Sequence, residues 1–287
     1  MIAIDAAWRG AHPLPLPSGE TDKNGRGQVL VIGGARRVPG AVMLTAEAAL
    51  RVGAGRVRIA TIAGAALPIG IAMPEVGVIA LAEDAGGNIA LDQDTALAAT
   101  LARVDAVVVG PGMGDRAAAA ALVRWIAARM AERGILILDG AAIAGAARLG
   151  DALAPLAGRL ILTPHPGEMA ALMERDPDSL DAASAQEAAA RFGAVVALKR
   201  AQTIVAAPDA VPLHYAGGGI GLATGGSGDV LAGAIAGLAA RGAVPVDAVG
   251  WGVWLHGEAG RSLAATAGPV GFLARDLPPL LTRLLPR

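Results

Sequence analysis

The chain has 287 residues and a formal net charge of -1 at pH 7, so no electrostatic attraction draws it to nucleic acid or to an anionic membrane. It is 54% hydrophobic but only 2% aromatic, with 40 glycines, so its core must be built from Ala, Val, Leu and Ile with backbones packed closely at Gly. Zero cysteines exclude disulfides, thiolate metal sites and a Cys nucleophile.

The opening stretch "MIAIDAAWRGAHPLPLPSG" has no basic region leading into a long apolar run, which is not the pattern of a signal peptide, and a cytoplasmic location is expected. Pro13, Pro15 and Pro17 predict an extended N-terminal arm over residues 1–19, with residues 20–287 forming a single domain. A strand, "QVLVIGG", and a helix, "GAVMLTAEAALRVGAG", follow. After the strand "GRVRIAT", the charge-free run from Ile59 to Pro74 contains two prolines and two glycines. It falls short of the roughly 20 residues needed to span a bilayer, so no membrane partner is expected. Then come the strands "VGVIAL" and "VDAVVVGPG", the helix "DRAAAAALVRWIAARMAERG", the strands "GILILDG" and "RLILTPHPGE", the helix "SLDAASAQEAAARFG" and the strand "AVVALK".

Continuous apolar strands suit a sheet covered on both faces, and their alternation with helices predicts an α/β, doubly wound, mostly parallel sheet with helices on both faces. In such sheets ligands bind beyond the carboxyl ends of the strands. The loops there would be "GGARRVPGA", "GPGMGD", "DGAA", "TPHPGE" and "KRAQT". Further on, the apolar stretch "VGWGVWLHGEAG" has two readings, a subunit contact and hence a homo-oligomer, or core packing of Trp251 and Trp254, while His256 within it is expected to serve packing.

Chemistry concentrates in "GLATGGSGDVLAG". Glycines before a helix let backbone N–H groups point at an anion, and the helix dipole adds positive potential. Asp229 in this motif has two readings, an N-cap or first-turn helix acid, or a base taking a proton from a hydroxyl. Neither a GxxxxGK[ST] loop nor GxGxxG occurs, so phosphate binding must use another design. In "LTPHPGE" two prolines restrict the backbone around His165, which is either structural or in contact with ligand. Glu168 is either a helix-start acid or a Mg²⁺ holder acting through water. Of the 24 basic residues only Lys23 and Lys199 are lysines, so Lys199 at a strand exit suggests a need for a compact ammonium, such as contact with phosphate. No spacing of the four histidines suits a transition metal.

Together and in order, "KNGRGQVLVIGGARRVPGA", "VVVGPGMG", "LTPHPGE", "LK" before "RAQTIV", "GLATGGSGDVLAG" and "WLHGEAG" resemble the ADP-dependent NAD(P)H-hydrate dehydratase family of the ribokinase-like superfamily, over about residues 20 to 280. The resemblance implies a carbon–oxygen lyase that repairs hydrated NADH and NADPH. ADP, or ATP, with Mg²⁺ would phosphorylate the hydroxyl of the hydrated ring, and loss of phosphate would regenerate NAD(P)H. It implies that Asp229 is the catalytic base, with Gly226, Ser227 and Gly228 forming an anion hole. Ala41, Gly114, His165 and Asp229 would contact the hydrated dinucleotide. Lys199, Arg200, Ala201, Gln202, Thr203 and Gly228 would hold the adenine nucleotide.

The sequence departs from the family pattern in three places. Ala141 stands where a second acid commonly follows Asp139, Arg200 replaces the Gly after the lysine, and an Asn is lost within "AGGGIG". Two further functions fit the same motifs: a small-molecule kinase acting on a sugar, hydroxymethylpyrimidine or hydroxyethylthiazole, and a nucleotide-binding protein without turnover.

Overall fold

The computed structural model describes residues 1–16, 21–90 and 95–286. In chain order the strands are β1 (Ile2–Ala3), β2 (Gln28–Ile32), β3 (Arg56–Ile62), β4 (Gly77–Leu81), β5 (Ala106–Val109), β6 (Ile135–Leu138), β7 (Leu160–Leu162), β8 (Ala194–Leu198), β9 (Thr203–Ala206) and β10 (Leu213–Tyr215). They form one sheet in the order β1-β10-β9-β8-β7-β6-β5-β2-β3-β4. From β8 to β4 all pairs are parallel, whereas β9 and β10 run antiparallel to their predecessors. Every residue of β5, β7 and β8 is buried, as their unbroken apolar sequences require of a sheet covered on both faces.

The α-helices are α1 (Ala6–Ala11), α2 (Ala41–Arg51), α3 (Ala63–Ala72), α4 (Thr95–Leu101), α5 (Arg116–Ala127), α6 (Ala141–Ala146), α7 (Pro166–Met173), α8 (Ala182–Phe192), α9 (Ser227–Ala240), α10 (Pro245–Ala267) and α11 (Pro278–Leu284). Local chemistry sets several of their ends. Asp115 caps α5 by accepting from Ala117 and Ala118 N–H, Asp181 and Ser184 form a reciprocal capping box on α8, and Gly193 ends α8 in the left-handed region. Helices α2, α9, α10 and α11 pack together, with α9 lying against β2, β5 and β6, while α5, α6 and α7 form a second group.

The chain moves outward from β2 through β3 to β4, then returns to place β5 on the other side of β2 and proceeds to β8. This reversal is a topological switch point, and the sites of such sheets lie at the carboxyl ends of the strands beside it. Ladder bonds continue past the strand ends, from Gly110 N to Ile32 O, Asp139 N to Val109 O, Thr163 N to Leu138 O and Lys199 N to Pro164 O. Loop residues from four strands are thereby held in register along one edge.

One expectation changes, and one open alternative narrows. Residues 1–11 are not an extended arm: Ile2 and Ala3 add a strand beside β10, and α1 is capped by Asp5. Pro13 and Pro15 do follow in irregular chain, while Pro17 lies outside the described residues. The same segment packs on the apolar stretch of α10, which favours the core reading of Trp251 and Trp254. Trp8 packs against Gly250, Trp251 Nε1 donates to His12 O at 2.7 Å, and the Arg9 guanidinium sits 3.8 Å from the Trp254 ring centre. Among the described residues no helix is long and apolar enough to cross a membrane.

The approach of α9 to α2 depends on small residues. A Cβ added at Gly233 would lie 2.1 Å from Thr45 O, and one at Gly237 would lie 2.4 Å from Val52 Cγ2. Gly233→Leu is therefore expected to cost about 3 kcal/mol or more, read as a lower midpoint in urea. Gly10→Ala, where an added Cβ meets nothing within 4 Å in α1, should instead gain up to about 1 kcal/mol. Equal midpoints for the two variants would refute this account of the helix contact.

Candidate active site

A cavity of about 810 Å³ opens at the carboxyl edge of the sheet, between the ends of β5, β6, β7 and β8 and the N-terminus of α9. Its floor is charged. Asp139, 5% exposed, follows β6 and accepts hydrogen bonds from Thr163 Oγ1 at 2.8 Å and from Lys199 Nζ at 2.9 Å. Lys199 Nζ also lies 3.9 Å from Glu168 Oε2. Burial works against the Lys199 ammonium, but Asp139 and Glu168 outweigh it and hold the pKa above its ordinary value. Glu168 titrates above the usual carboxylate range because burial and the Asp139 charge exceed the pull of Lys199.

Asp229 stands in the first turn of α9, and it is not the cap. The N-cap is Gly226, whose φ of +89° suits glycine, and among the described residues no hydrogen bond reaches the Asp229 carboxylate. Burial raises its pKa to about 7, helped by Asp139 and Glu168 and opposed by Lys199. A carboxylate near half ionisation at neutral pH, free of partners and facing a cavity, is suited to accept a proton.

The glycines ahead of it expose backbone. Gly226 and Gly228 line the cavity beside Ser227, whose own N–H is directed to Thr224 O at 3.2 Å. Space at Gly228 is filled by Lys199, since an added Cβ would lie 3.2 Å from its Nζ. Across the cavity, Gly110 lets the β5 exit pass against Asp139, where a Cβ would come within 1.8 Å of the carbonyl oxygen.

His165 caps α7. Its Nδ1 accepts from Gly167 N at 3.0 Å and Glu168 N at 3.3 Å, and Glu168 Oε2 accepts from His165 N at 2.8 Å. This capping box leaves the neutral imidazole with its proton on Nε2. The ring is 56% exposed and borders the cavity, so its capping role does not withdraw it from the cavity wall. Glu168 likewise combines its helix-start role with a place on the cavity wall.

Of the residues singled out in the sequence, His165, Glu168, Lys199, Arg200, Ala201, Thr203, Gly226, Ser227, Gly228 and Asp229 share this cavity wall. Ala41, Gly114 and Gln202 do not. Ala41 begins α2 behind Gly112, a wall residue whose added Cβ would lie 3.1 Å from the Ala41 methyl. Gly114 has open space around it, and Gln202 is exposed. Arg200 donates from Nη1 to Leu180 O, so its guanidinium is tied to backbone. Ala141, in place of an acid, packs half-buried against the core.

Sequence reasoning missed Tyr215. Its hydroxyl donates to Glu258 Oε1 at 2.6 Å, and burial with this neighbour raises its pKa. It is the sole tyrosine of the chain, a rarity comparable to that of the two lysines. His256, expected to serve packing, is indeed nearly buried, but its Nε2 lies 2.9 Å from Ser227 Oγ at the cavity wall.

The sequence matches the NAD(P)H-hydrate dehydratase family over residues 29–283. It is 45% identical to the ADP-dependent (S)-NAD(P)H-hydrate dehydratase of Xanthomonas campestris pv. campestris, over 99% of this chain and 96% of that protein. The chain spans about half the length of bifunctional NAD(P)H-hydrate repair enzymes such as that of Thermofilum pendens, with 36% identity over 95% of this chain and 53% of the relative. Among solved structures, a ribokinase-like superfamily protein from Enterococcus faecalis superposes with a TM-score of 0.78 at 26% identity, covering 94% of this chain and 90% of that one. The ADP/ATP-dependent NAD(P)H-hydrate dehydratase of Bacillus subtilis, co-crystallised with ATP/Mg²⁺, gives a TM-score of 0.74 at 28% identity, covering 94% and 92%. With a ribokinase-like fold and a cavity assembled from the family's motifs, the chain belongs to the NAD(P)H-hydrate dehydratase family.

Proposed function

We propose that the protein is an ADP-dependent (S)-NAD(P)H-hydrate dehydratase, a lyase that returns hydrated NADH or NADPH to the working cofactor. The observation that carries this reading is the unpartnered Asp229 carboxylate, with its pKa near 7, beside the N-terminus of α9. Phosphoryl transfer asks little covalent chemistry of a protein and much positioning and charge stabilisation. In the first step the ring hydroxyl oxygen forms a bond to the terminal phosphorus of ADP and the bond to AMP breaks. Asp229 takes the hydroxyl proton. In the second step the C–O bond breaks, phosphate leaves with its electron pair, and loss of a ring proton restores NAD(P)H.

Gly226 and Gly228 N–H groups, with Ser227, form the anion hole for the transferring group, and the α9 dipole adds to their field. Lys199 is the point charge for the nucleotide phosphates, with Arg200, Ala201, Gln202 and Thr203 along the adenine nucleotide. His165, Ala41 and Gly114 lie toward the hydrated dinucleotide.

The donor set suits Mg²⁺. An ion that keeps waters and takes one or two carboxylates plus substrate phosphates suits a cavity wall that carries Asp139, Glu168 and Asp229. Asp139, Glu168 and Asp229 face a single ammonium, so the ionised floor has surplus negative charge that a divalent cation would offset. Glu168 would hold the ion through water. The ion supplies charge neutralisation on the phosphates.

Incubation with hydrated NADH, Mg²⁺ and ADP should restore near-ultraviolet NADH absorbance and release AMP and phosphate. Absence of recovery with both ADP and ATP refutes the reading, and a retained phosphorylated product would point to a kinase instead. Because Asp229 must be ionised to act, kcat should rise between pH 6 and pH 8 with a midpoint near 7. Asp229→Asn should lose roughly 10²–10⁴-fold in kcat while nucleotide affinity stays within a few-fold. Lys199→Arg should raise the nucleotide Kd about tenfold, since a planar guanidinium does not fit between Asp139 and Gly228; calorimetric titration giving unchanged affinity would remove the compact-ammonium argument.

A further inference from the structure

The anion hole contains one group whose donor is not backbone. Ser227 N–H is already directed to Thr224 O, so this residue can reach an anion only through its hydroxyl. That hydroxyl is not free to rotate at will: Oγ lies 2.9 Å from His256 Nε2, and the two residues are 5% and 9% exposed. His256 comes from the middle of α10, which packs along α9. Both side chains border the cavity that also holds Asp229 and Lys199.

The hydrogen bond has two possible senses. If Ser227 O–H donates to the imidazole, its proton points away from the cavity and the hydroxyl offers an incoming phosphoryl group only lone pairs, which repel it. If imidazole N–H donates to Oγ, the hydroxyl proton is left for the anion. The second sense is favoured by the surroundings. Burial lowers the His256 pKa to about 4, and Lys199 adds to this, so the ring is neutral and carries one proton. The Ser227 backbone opposes that shift, as a carbonyl accepting from a ring N–H does, and an anion at the start of α9 would draw the hydroxyl proton to itself and leave an Oγ lone pair to accept from the ring.

We propose that His256 is a positioning residue whose ring N–H donates to Ser227 Oγ and so aims the hydroxyl proton at the phosphoryl group held at the start of α9. This rests on the phosphoryl-transfer reading above. A neutral imidazole suits the role, because it orients the donor without adding a second fixed charge beside Lys199. Removing one donor from a preorganised oxyanion site typically costs about 10²–10³-fold in kcat, and a donor aimed by a second residue is lost when either partner is removed.

The test is a double-mutant cycle read beside a spectrum. Ser227→Ala and His256→Leu should each lower kcat about 10²–10³-fold with little change in nucleotide KM, and the double variant should fall no further than Ser227→Ala alone. His256→Gln, whose amide N–H can replace the ring donor, should recover most of the loss. Equal loss from His256→Leu with and without the Ser227 hydroxyl overturns the proposal, because the histidine then acts through packing. Thermal unfolding of each variant separates this from a failure to fold. Nitrogen NMR of the histidine rings gives a readout independent of turnover. The His256 signal should be that of a neutral ring protonated at Nε2 at pH 7 and should shift in Ser227→Ala. A ring unprotonated at Nε2 overturns the proposal even in an active enzyme, while a wild type that restores no NADH but shows the expected ring signal overturns the repair reading alone.

Discussion

The site depends on the buried contact between Asp139 and Lys199. One carboxylate oxygen receives both the Lys199 ammonium and the Thr163 hydroxyl, which ties together the exits of β6, β7 and β8 at the point where each strand releases its loop. Breaking a buried pair by removing one partner leaves an uncompensated charge and typically costs about 3–5 kcal/mol. The pair also sets the electrostatics of the cavity. Burial is the first cause of the raised Asp229 pKa, Asp139 adds to it, and Lys199, drawn toward Asp139 and Glu168, offsets it only in part, so Asp229 titrates near neutrality instead of near pH 4.

That geometry requires the start of α9 to reach the sheet edge, and the composition of the chain makes this possible. A helix with Gly233 and Gly237 on the face toward α2 can lie against Thr45, Ala49 and Val52 at a distance no larger side chain permits. The packing brings the glycines before α9 opposite Lys199, with no Cβ at Gly228 to displace the ammonium. The glycines of the core and those of the cavity wall therefore serve one end. They bring backbone close, in the core to other backbone and at the cavity to the Lys199 ammonium.

Much of this was legible along the chain because the informative signals were local. Strands such as "DAVVVG" and "ILIL" are buried runs whose apolar continuity declares a covered parallel sheet, and the phosphate motif lies within one segment. The scarcity of lysine in an arginine-rich chain pointed at Lys199 without reference to any partner. What stayed hidden was long-range. Asp139 meets Lys199 across 60 residues and Tyr215 meets Glu258 across 43, and no local period encodes either pair. The N-terminal segment was misjudged for a related reason. A two-residue strand and a six-residue helix are too short to show periodicity, and they form because β10 offers an edge and Gly250 leaves room for Trp8. Asp229 was ambiguous between cap and base because both readings put Asp at a helix start. Only the left-handed conformation of Gly226 moves the cap three residues back and frees the carboxylate.

Two of the three departures from the family pattern, Ala141 and Arg200, bear on charge, and nothing in the structure explains the third. Three carboxylates already face one ammonium at the cavity floor, and residue 141 begins α6 one position beyond Gly140 on the wall. A further acid there would add to a surplus that a phosphate-bearing ligand must also overcome, and alanine avoids it. Arg200 does not restore the balance, since its guanidinium is turned to the Leu180 carbonyl, where it fastens the Lys199 loop to the segment before α8. With Ala141 uncharged and Arg200 tied to backbone, the Asp139–Lys199 pair, Glu168 and Asp229 are the charges that act at this buried floor, and among them Asp229 titrates near pH 7.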